Sequence, residues 1–282
     1  MAIATSLPEL GVGINAALSG NPIISLGNII GANIVVLSLV LGLILVFVGK
    51  MKVNSDISAK AHWFNFALAI SPFPLLYDGV LSRFDGAFLM ALFAVNVTVL
   101  MRARALHPSE PHVWESLLRH FSRAQQHGLA FHGFIKDILV FTVAMGFLLG
   151  SSFFVVYAAE HISFAFDISP LFVGIFIVAI GTTLPELTFG VKAALSHHGE
   201  LSLGNLFGTV VFNSTWILGM VALLQPIVVS DHFSFWISAA YMALVVLCAH
   251  VFLRTGYALT RKEGVFLILL YFFFVFIQFR FL

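Results

Sequence analysis

The stretch TSLPEL occupies Thr5–Leu10, and the stretch TTLPEL occupies Thr182–Leu187. Each places a proline and a glutamate together in apolar sequence, although proline interrupts a helix and a carboxylate resists burial in a membrane. The two stretches belong to a longer duplication: Ala2–Gly42 aligns with Ala179–Gly219 at a constant offset of 177, with 19 of 41 positions identical. Chance similarity between two hydrophobic segments would not keep Pro, Glu, Asn and Gly in register. The chain therefore contains an internal repeat.

The composition indicates a membrane as the solvent. The chain is 60% hydrophobic and 10% charged, with a mean hydropathy of +1.02, whereas a soluble domain carries roughly a quarter charged residues. Apolar runs of about 20 residues, the length that crosses a bilayer, recur along the sequence. We therefore predict an all-α, polytopic membrane protein rather than a globular domain.

The apolar runs predict a truncated start over residues 1–19 and eight further spans. These spans are Ile23–Val48, Trp63–Leu81, Ala87–Met101, Ile135–Ala159, Pro170–Leu195, Leu203–Leu224, Phe233–Leu253 and Val265–Phe281. Placing the loop after Val48 in the cytoplasm puts 12 Lys and Arg residues inside and 2 outside, the 2 being Arg83 and Arg280. This bias obeys the positive-inside rule and supports the number of spans.

Five predicted crossings separate Glu9 from Glu186, so the two copies run through the bilayer in opposite directions. Inverted repeats are typical of secondary transporters, whose substrate site lies where the repeats meet. We divide the chain into a first repeat (1–104), a cytoplasmic loop with an interfacial helix (105–133) and a second repeat (134–282). Each repeat has up to five transmembrane helices, and the first lacks the counterparts of the first helix and half of the second. We expect about 44 further residues upstream of Met1; a naturally shorter protein is the alternative.

The PE motifs predict a cation site. Pro8 and Pro185 each remove a backbone donor and free a carbonyl oxygen upstream, and free carbonyls at membrane depth need a cavity or an ion. Glu9 and Glu186 add carboxylates at the same level, where intramembrane acids are functional candidates. Hydroxyl oxygens come from Thr5, Ser6, Thr182 and Thr183. Such oxygens suit Ca²⁺, which takes 6–8 of them, with Na⁺ as the natural competitor.

The sequences ATSLPEL…GNIIGAN and GTTLPEL…GNLFGTVVFN resemble the two α-repeats of the sodium/calcium exchanger (cation/Ca²⁺ exchanger) superfamily. The resemblance implies ten helices in two inverted sets and exchange of Ca²⁺ against Na⁺ at one central cluster. It implies that Glu9 and Glu186 are the central carboxylates and that Thr5 and Thr182 supply backbone oxygens to Ca²⁺. The remaining implied ligands are the Na⁺ carbonyl positions Ala2 and Ala179, the side-chain oxygens of Ser6 and Thr183, and Thr209 and Asn213 on the partner helix of the second repeat.

The first repeat departs from the family pattern on its partner helix. Ala32 and Val36 stand where the family has oxygen-bearing side chains, and Asn213 is neutral where many relatives carry an acid. Two carboxylates still suffice to neutralise one Ca²⁺, but ligands for Na⁺ are lost. The expected function is a Ca²⁺/Na⁺ antiporter; an exchanger coupled to H⁺, one for another divalent cation, or a degenerate, inactive transporter fragment remain alternatives.

Other features set limits on the function. No nucleophile or zinc-protease pattern occurs, so we do not expect an enzyme or a cofactor. The expected partners are the bilayer and the transported Ca²⁺, Na⁺ or H⁺, without nucleic acid, and the oligomeric state stays open. The expected location is the inner membrane of a prokaryote. We interpret Asn28 and Asn205, in the GN pairs, as helix-packing residues and only weakly as ligand support.

Overall fold

The structure is a computed structural model, and it describes residues 1–52, 59–106, 130–196, 198–254 and 258–280. Most of the loop between the repeats, with its expected interfacial helix, lies outside these residues. The fold in the described residues is almost entirely helical, with two short antiparallel strand pairs.

The first repeat begins with two short helices that carry the first PE motif. Its elements are α1 (Ala2–Thr5), α2 (Leu7–Leu18), α3 (Pro22–Val35), π1 (Val36–Val40), α4 (Leu41–Val48), β1 (Lys50–Lys52), α5 (Ala59–Ile70), α6 (Pro72–Leu75), β2 (Val80–Leu81) and α7 (Arg83–Leu106).

The second repeat opens with a long helix that packs against α2. Its elements are α8 (Ala130–Phe166), α9 (Pro170–Val173), π2 (Gly174–Val178), α10 (Ala179–Thr182), α11 (Leu184–Leu195), α12 (Gly199–Phe212), π3 (Asn213–Ile217), α13 (Leu218–Leu224), β3 (Ile227–Val228), α14 (His232–Arg254), β4 (Ala258–Thr260) and α15 (Arg261–Arg280).

The bounds of these elements repeat with the offset of the sequence alignment. α1, α2, α3 and π1 map onto α10, α11, α12 and π3 when 177 is added to each residue number. The bounds also correspond where the side chains differ, since VLSLV forms π1 and NSTWI forms π3. The duplication seen in the sequence is thus a structural repeat.

The two π-helical segments interrupt the partner helices at equivalent points. Ser38 donates its hydroxyl to the Ile34 carbonyl, and Thr215 Oγ1 donates to the Val211 carbonyl at 2.6 Å. These hydroxyls satisfy carbonyls where the α-helical ladder changes register. Such π segments are frequent at functional sites, and no pattern in the sequence predicted them.

Each strand pair joins one repeat to the other. β1 pairs with β4, placing Lys50 opposite Thr260, and β2 pairs with β3, placing Val80 opposite Val228. The helix pairs α4–α15 and α7–α13 also join the repeats, and in each pair two glycines allow close approach. A Cβ on Gly42 would lie 2.7 Å from the Gly264 carbonyl oxygen, and a Cβ on Gly86 would lie 2.7 Å from the Gly219 carbonyl oxygen.

Among the described residues, six helices are long and apolar enough to span a membrane. Pro170–Thr182 and Leu184–Leu195 form a further broken span, bent by 40°. The predicted Trp63–Leu81 span is shorter in the structure: a helical stretch ends at Leu75, and Val80 and Leu81 form a strand. Pro72 and Pro74 lack the backbone N–H that would bond to the preceding turn, which explains the interruption between α5 and α6 at Ser71. The all-α, polytopic fold class is confirmed.

The core lies around α3. Every residue of this helix except Ile23 is buried. On one side, Gly27 and Gly31 meet the half-helix formed by α9, π2 and α10 so closely that a Cβ on either would collide with a carbonyl, that of Leu171 or of Ile175. α3 of the first repeat therefore packs directly against the half-helix of the second repeat that leads into the second PE motif.

Candidate cation site

The two PE motifs break their helices at equivalent residues. α1 ends at Thr5 and α2 begins at Leu7, while α10 ends at Thr182 and α11 begins at Leu184. In each motif the proline lies in the first two positions of the second helix, where its missing N–H is tolerated. The glutamate follows in the first turn, where the positive end of the helix dipole favours a carboxylate.

The structure brings the two predicted carboxylates together in the interior. Glu9 and Glu186 are both 0% exposed, and their carboxylates lie close enough to repel each other. Ser6 Oγ donates to Glu186 Oε1 over 3.5 Å. Glu186 Oε2 and both carboxylate oxygens of Glu9 have no hydrogen-bond partner among the described residues. Since burial of an unpaired carboxylate costs several kcal/mol, these oxygens require a cation or a proton.

Hydroxyl groups from both repeats surround the carboxylates. Ser6 Oγ lies 3.4 Å from Thr209 Oγ1, which joins the first motif to the partner helix of the second repeat. The Thr182 hydroxyl lies near Glu9 and the Thr5 hydroxyl near Glu186. Each threonine therefore faces the glutamate of the opposite repeat, as an inverted repeat requires.

The alanine positions and Thr183 bond within their own motifs. The Ala2 carbonyl accepts the Thr5 hydroxyl at 3.2 Å, and the Ala179 carbonyl oxygen lies 3.3 Å from Thr182 Oγ1. Thr183 Oγ1 donates to the Ile180 carbonyl at 3.2 Å. These contacts hold the ends of α1 and α10 while leaving the carboxylates to other partners.

Two asparagines that we interpreted as helix-packing residues form hydrogen bonds to hydroxyls of the PE motifs. Thr182 Oγ1 donates to Asn28 Oδ1 at 3.1 Å, and Asn205 Nδ2 donates to Thr5 Oγ1 at 3.3 Å. Asn28 and Asn205 are equivalent residues, and both bonds cross between the repeats, but Asn28 accepts through its amide oxygen whereas Asn205 donates through its amide nitrogen. The presence of asparagine at this position in both repeats was the feature of the sequence that could have indicated a role. Only the structure shows which hydroxyl each asparagine contacts.

The partner helices supply oxygen unequally. Thr209 and Asn213 are fully buried on α12 and at the start of π3, and Asn213 Nδ2 donates to Asn33 Oδ1 at 3.2 Å. Their equivalents, Ala32 and Val36, are also fully buried but have no side-chain oxygen. The departure from the family pattern thus concerns two buried side chains on α3 and π1.

The arrangement uses only hard oxygen ligands and amides. The part of the chain that the structure describes contains no group of three or more His, Cys, Asp and Glu side chains placed to hold a metal ion. Two carboxylates, with hydroxyls, amides and helix-end carbonyls, are suited to cations such as Ca²⁺ or Na⁺ rather than to softer transition metals.

Broken helices in an inverted repeat, with buried acids at the breaks, define the architecture of a secondary membrane transporter. The family described as "Sodium/calcium exchanger protein" matches residues 1–102 and 136–280, and the chain belongs to this family. The family resemblance that the motifs indicated is thereby confirmed.

Curated relatives come from bacteria and archaea. The inner membrane protein YrbG of Escherichia coli is 30% identical over 227 residues, covering 80% of this chain and 68% of that protein. The sodium/calcium exchanger MaX1 of Methanosarcina acetivorans is 26% identical over 301 residues, covering 96% of this chain and 84% of that protein. The similarity therefore extends well beyond the two motifs.

Solved structures share the fold. The sodium-calcium exchanger NCX_Mj, soaked with 2.5 mM Na⁺ and 0.1 mM Ca²⁺, is 26% identical with a TM-score of 0.67, covering 98% of this chain and 83% of that chain. The H⁺/Ca²⁺ exchanger CAX has a TM-score of 0.74 at 17% identity, covering 98% of this chain and 72% of that chain. At this identity the second match shows the fold alone.

Proposed function

We propose that the protein is a secondary-active cation antiporter that exchanges Ca²⁺ against Na⁺ by alternating access around Glu9 and Glu186. The observation that carries the proposal is the pair of fully buried glutamates, three of whose four carboxylate oxygens have no partner among the described residues. In the described part of the chain, the one hydrogen bond to these carboxylates comes from a serine and not from a lysine or arginine. A transported cation would compensate the charges.

The chemistry of the oxygens fits Ca²⁺ as one substrate. Two carboxylates together neutralise a divalent ion, and Ser6, Thr209 and the helix-end carbonyls near Thr5 and Thr182 can complete the 6–8 oxygens that Ca²⁺ takes. Because the two motif helices run in opposite directions through the membrane, their oxygen ligands would surround the ion from opposite sides.

Competition for the same carboxylates would couple the two fluxes. A bound Ca²⁺ and bound Na⁺ ions cannot occupy Glu9 and Glu186 together, and a site without any cation leaves buried charges unpaired. Reorientation of the empty site is then unfavourable, since buried charges without partners are costly. An exchanger, rather than a uniporter, follows from this energetic rule.

Proton coupling is the second candidate, and the partner helices favour it. Ala32 and Val36 remove two side-chain oxygens, and Asn213 supplies an amide instead of a carboxylate. Protons need no cage of ligands, so they can replace Na⁺ at the two glutamates when such oxygens are absent. Two carboxylates would equally neutralise another divalent cation, which stays the third alternative.

Transport in liposomes tests the proposal. Purified full chain is reconstituted, and uptake of labelled Ca²⁺ is measured under an outward Na⁺ gradient, under an outward H⁺ gradient, and under neither. We expect Na⁺-driven uptake that the double variant Glu9→Gln/Glu186→Gln lacks. Uptake driven only by H⁺ would establish the second candidate, and no uptake under any gradient would indicate a degenerate transporter.

Location and partners follow from the class of protein. The apolar helices make the chain an integral, multi-pass membrane protein, and its relatives are bacterial and archaeal. We assign it to the inner membrane of a prokaryote, with the lipid bilayer and the transported cations as partners and no resident cofactor. Fractionation of the native host, with the protein found in the cytoplasmic membrane, tests the location.

A further inference from the structure

A buried amide network lies beside the candidate cation site. Asn213 Nδ2 donates to Asn33 Oδ1 at 3.2 Å, and Asn33 Nδ2 donates to Ser214 Oγ at 3.0 Å. Asn33, Asn213 and Ser214 are all 0% exposed. The network joins α3 of the first repeat to π3 of the second, and Asn33, the last residue of GNIIGAN, is not among the ligands that the family resemblance implies.

The surroundings of Asn33 fix the direction in which its amide points. Its nitrogen faces two acceptors, Ser214 Oγ and Met242 Sδ, the latter at 3.9 Å. A carbonyl oxygen turned to the same side would face the electron-rich sulfur and would lose the N–H···S contact. Asn33 therefore presents its oxygen to Asn213.

The orientation of Asn33 determines the orientation of Asn213. Because Asn33 offers an acceptor, Asn213 turns its nitrogen toward it, and Asn213 Oδ1 is left buried with no partner among the described residues. Asn213 lies four residues after Thr209, so both side chains project from the same side of the helix. Thr209 touches Ser6, which donates to Glu186. The unpaired amide oxygen thus belongs to the side of the helix that carries the site.

This arrangement compensates for a neutral ligand. An aspartate at position 213 would present an oxygen in either rotation of its carboxylate, whereas an asparagine binds a cation only when its oxygen points the right way. The repeat does not duplicate the pair: the equivalent of Asn213 in the first repeat is Val36, and the equivalent of Asn33 in the second is Val210. The pair of asparagines is therefore present only at the position of Asn213, where the amide ligand is expected.

We propose that Asn33 is a positioning residue that holds the Asn213 amide with its oxygen toward the transported cation. The inference rests on the proposed function, since it assumes that the site binds Ca²⁺. It deepens that proposal by naming what makes a neutral residue usable as a ligand.

A double-mutant cycle on the full chain in detergent tests the inference, with Ca²⁺ alone as the probe and its dissociation constant as the readout. We expect Asn33→Ala to raise the dissociation constant about tenfold, the effect of one well-placed hydrogen bond to a ligand. In the Asn213→Asp background we expect less than about a twofold rise, because equivalent carboxylate oxygens have no orientation to lose.

Controls separate positioning from packing. Gln278→Ala removes a buried amide that bonds Ser238 Oγ far along the chain from the motifs, and we expect its Ca²⁺ affinity within about twofold of the parent. Asn33→Ser, too short to reach Asn213, replaces Asn33→Ala where the latter fails to fold. Equal losses in the parent and in the Asn213→Asp background would overturn the inference alone, whereas a parent chain that binds no Ca²⁺ would overturn the proposed function with it.

Discussion

The half of the site around Glu186 differs from the half around Glu9. Glu186 accepts a hydrogen bond from Ser6, whose hydroxyl also touches Thr209. Glu9 has no hydrogen-bond partner among the described residues, and Thr183, the equivalent of Ser6, bonds back to the Ile180 carbonyl. The same backbone, repeated at an offset of 177, thus gives one carboxylate a hydrogen bond from a serine and leaves the other without a hydrogen bond among the described residues.

One pair of equivalent residues explains much of this difference. Ser6 lies within hydrogen-bond distance of the Thr209 hydroxyl, whereas Ala32, the equivalent of Thr209 on α3, has no hydroxyl. A hydroxyl without a partner turns to the nearest carbonyl, which for Thr183 lies in its own helix. The backbone of the site is thus the same in both repeats, while its side-chain ligands differ. We therefore expect substitutions around Glu9 and around Glu186 to change Ca²⁺ binding by different amounts.

The largest expected effect tests whether both halves are needed. Glu9→Gln and Glu186→Gln should each lower Ca²⁺ transport by at least about 100-fold, because one carboxylate cannot neutralise a buried divalent ion. Thermal unfolding in detergent should show that Ca²⁺ no longer stabilises either variant. The exposed Glu200→Gln serves as the control and should stay within about twofold of the parent. Normal Ca²⁺ affinity in either site variant would remove that glutamate from the site.

The second prediction compares equivalent glycines on the two partner helices. A Cβ on Gly27 would collide with the Leu171 carbonyl and lie 3.2 Å from Gly174 Cα, whereas a Cβ on Gly204 would meet nothing within 4 Å. Gly27→Ala should therefore destabilise the protein by about 2–3 kcal/mol through overpacking. Gly204→Ala should stabilise it by about 0.4–1 kcal/mol, because alanine has less freedom to lose on folding.

Thermal unfolding in detergent measures the difference between the two glycine variants. The unfolding temperatures should move in opposite directions from that of the parent. Shifts of the same sign and size would contradict the packing asymmetry of α3 and α12, because the two positions are matched in sequence and differ only in what surrounds them.

The motifs, the repeat and the pairing of two acids were predictable because they depend on local sequence and on topology. Proline at the helix breaks and an odd number of crossings were enough to place Glu9 and Glu186 opposite each other. The bonds Asn28–Thr182 and Asn205–Thr5 were not predictable, since they depend on how the repeats are rotated and translated against each other. The π segments were also missed: VLSLV and NSTWI share one conformation with no identical residue, so packing rather than local preference sets it.

The third prediction compares the two hydroxyls that follow the helix breaks. Ser6→Ala removes the donor to Glu186 and should raise the Ca²⁺ dissociation constant about tenfold, since hydrogen bonds to charged groups are the stronger ones. Thr183→Val keeps the shape and removes only a bond to its own helix, so its effect should stay within about threefold. Isothermal titration with Ca²⁺ measures both. A larger loss for Thr183→Val would mean that the half around Glu9 dominates binding.

The smallest expected effect concerns restoring the missing oxygen. Ala32→Ser places a hydroxyl on α3 where α12 has Thr209, and it should make the two halves more alike. Because a hydroxyl is a hard ligand that Na⁺ accepts, we expect the Na⁺ concentration that displaces half of the bound Ca²⁺ to fall about threefold. Ala32 is fully buried, so an added atom also brings some overpacking. Ala32→Cys controls for this, since sulfur has similar bulk but is a poor ligand for a hard cation. Equal displacement by Na⁺ in the serine and cysteine variants would show that the alanine at position 32 is not what limits Na⁺ binding, and that the asymmetry of the site arises elsewhere on α3.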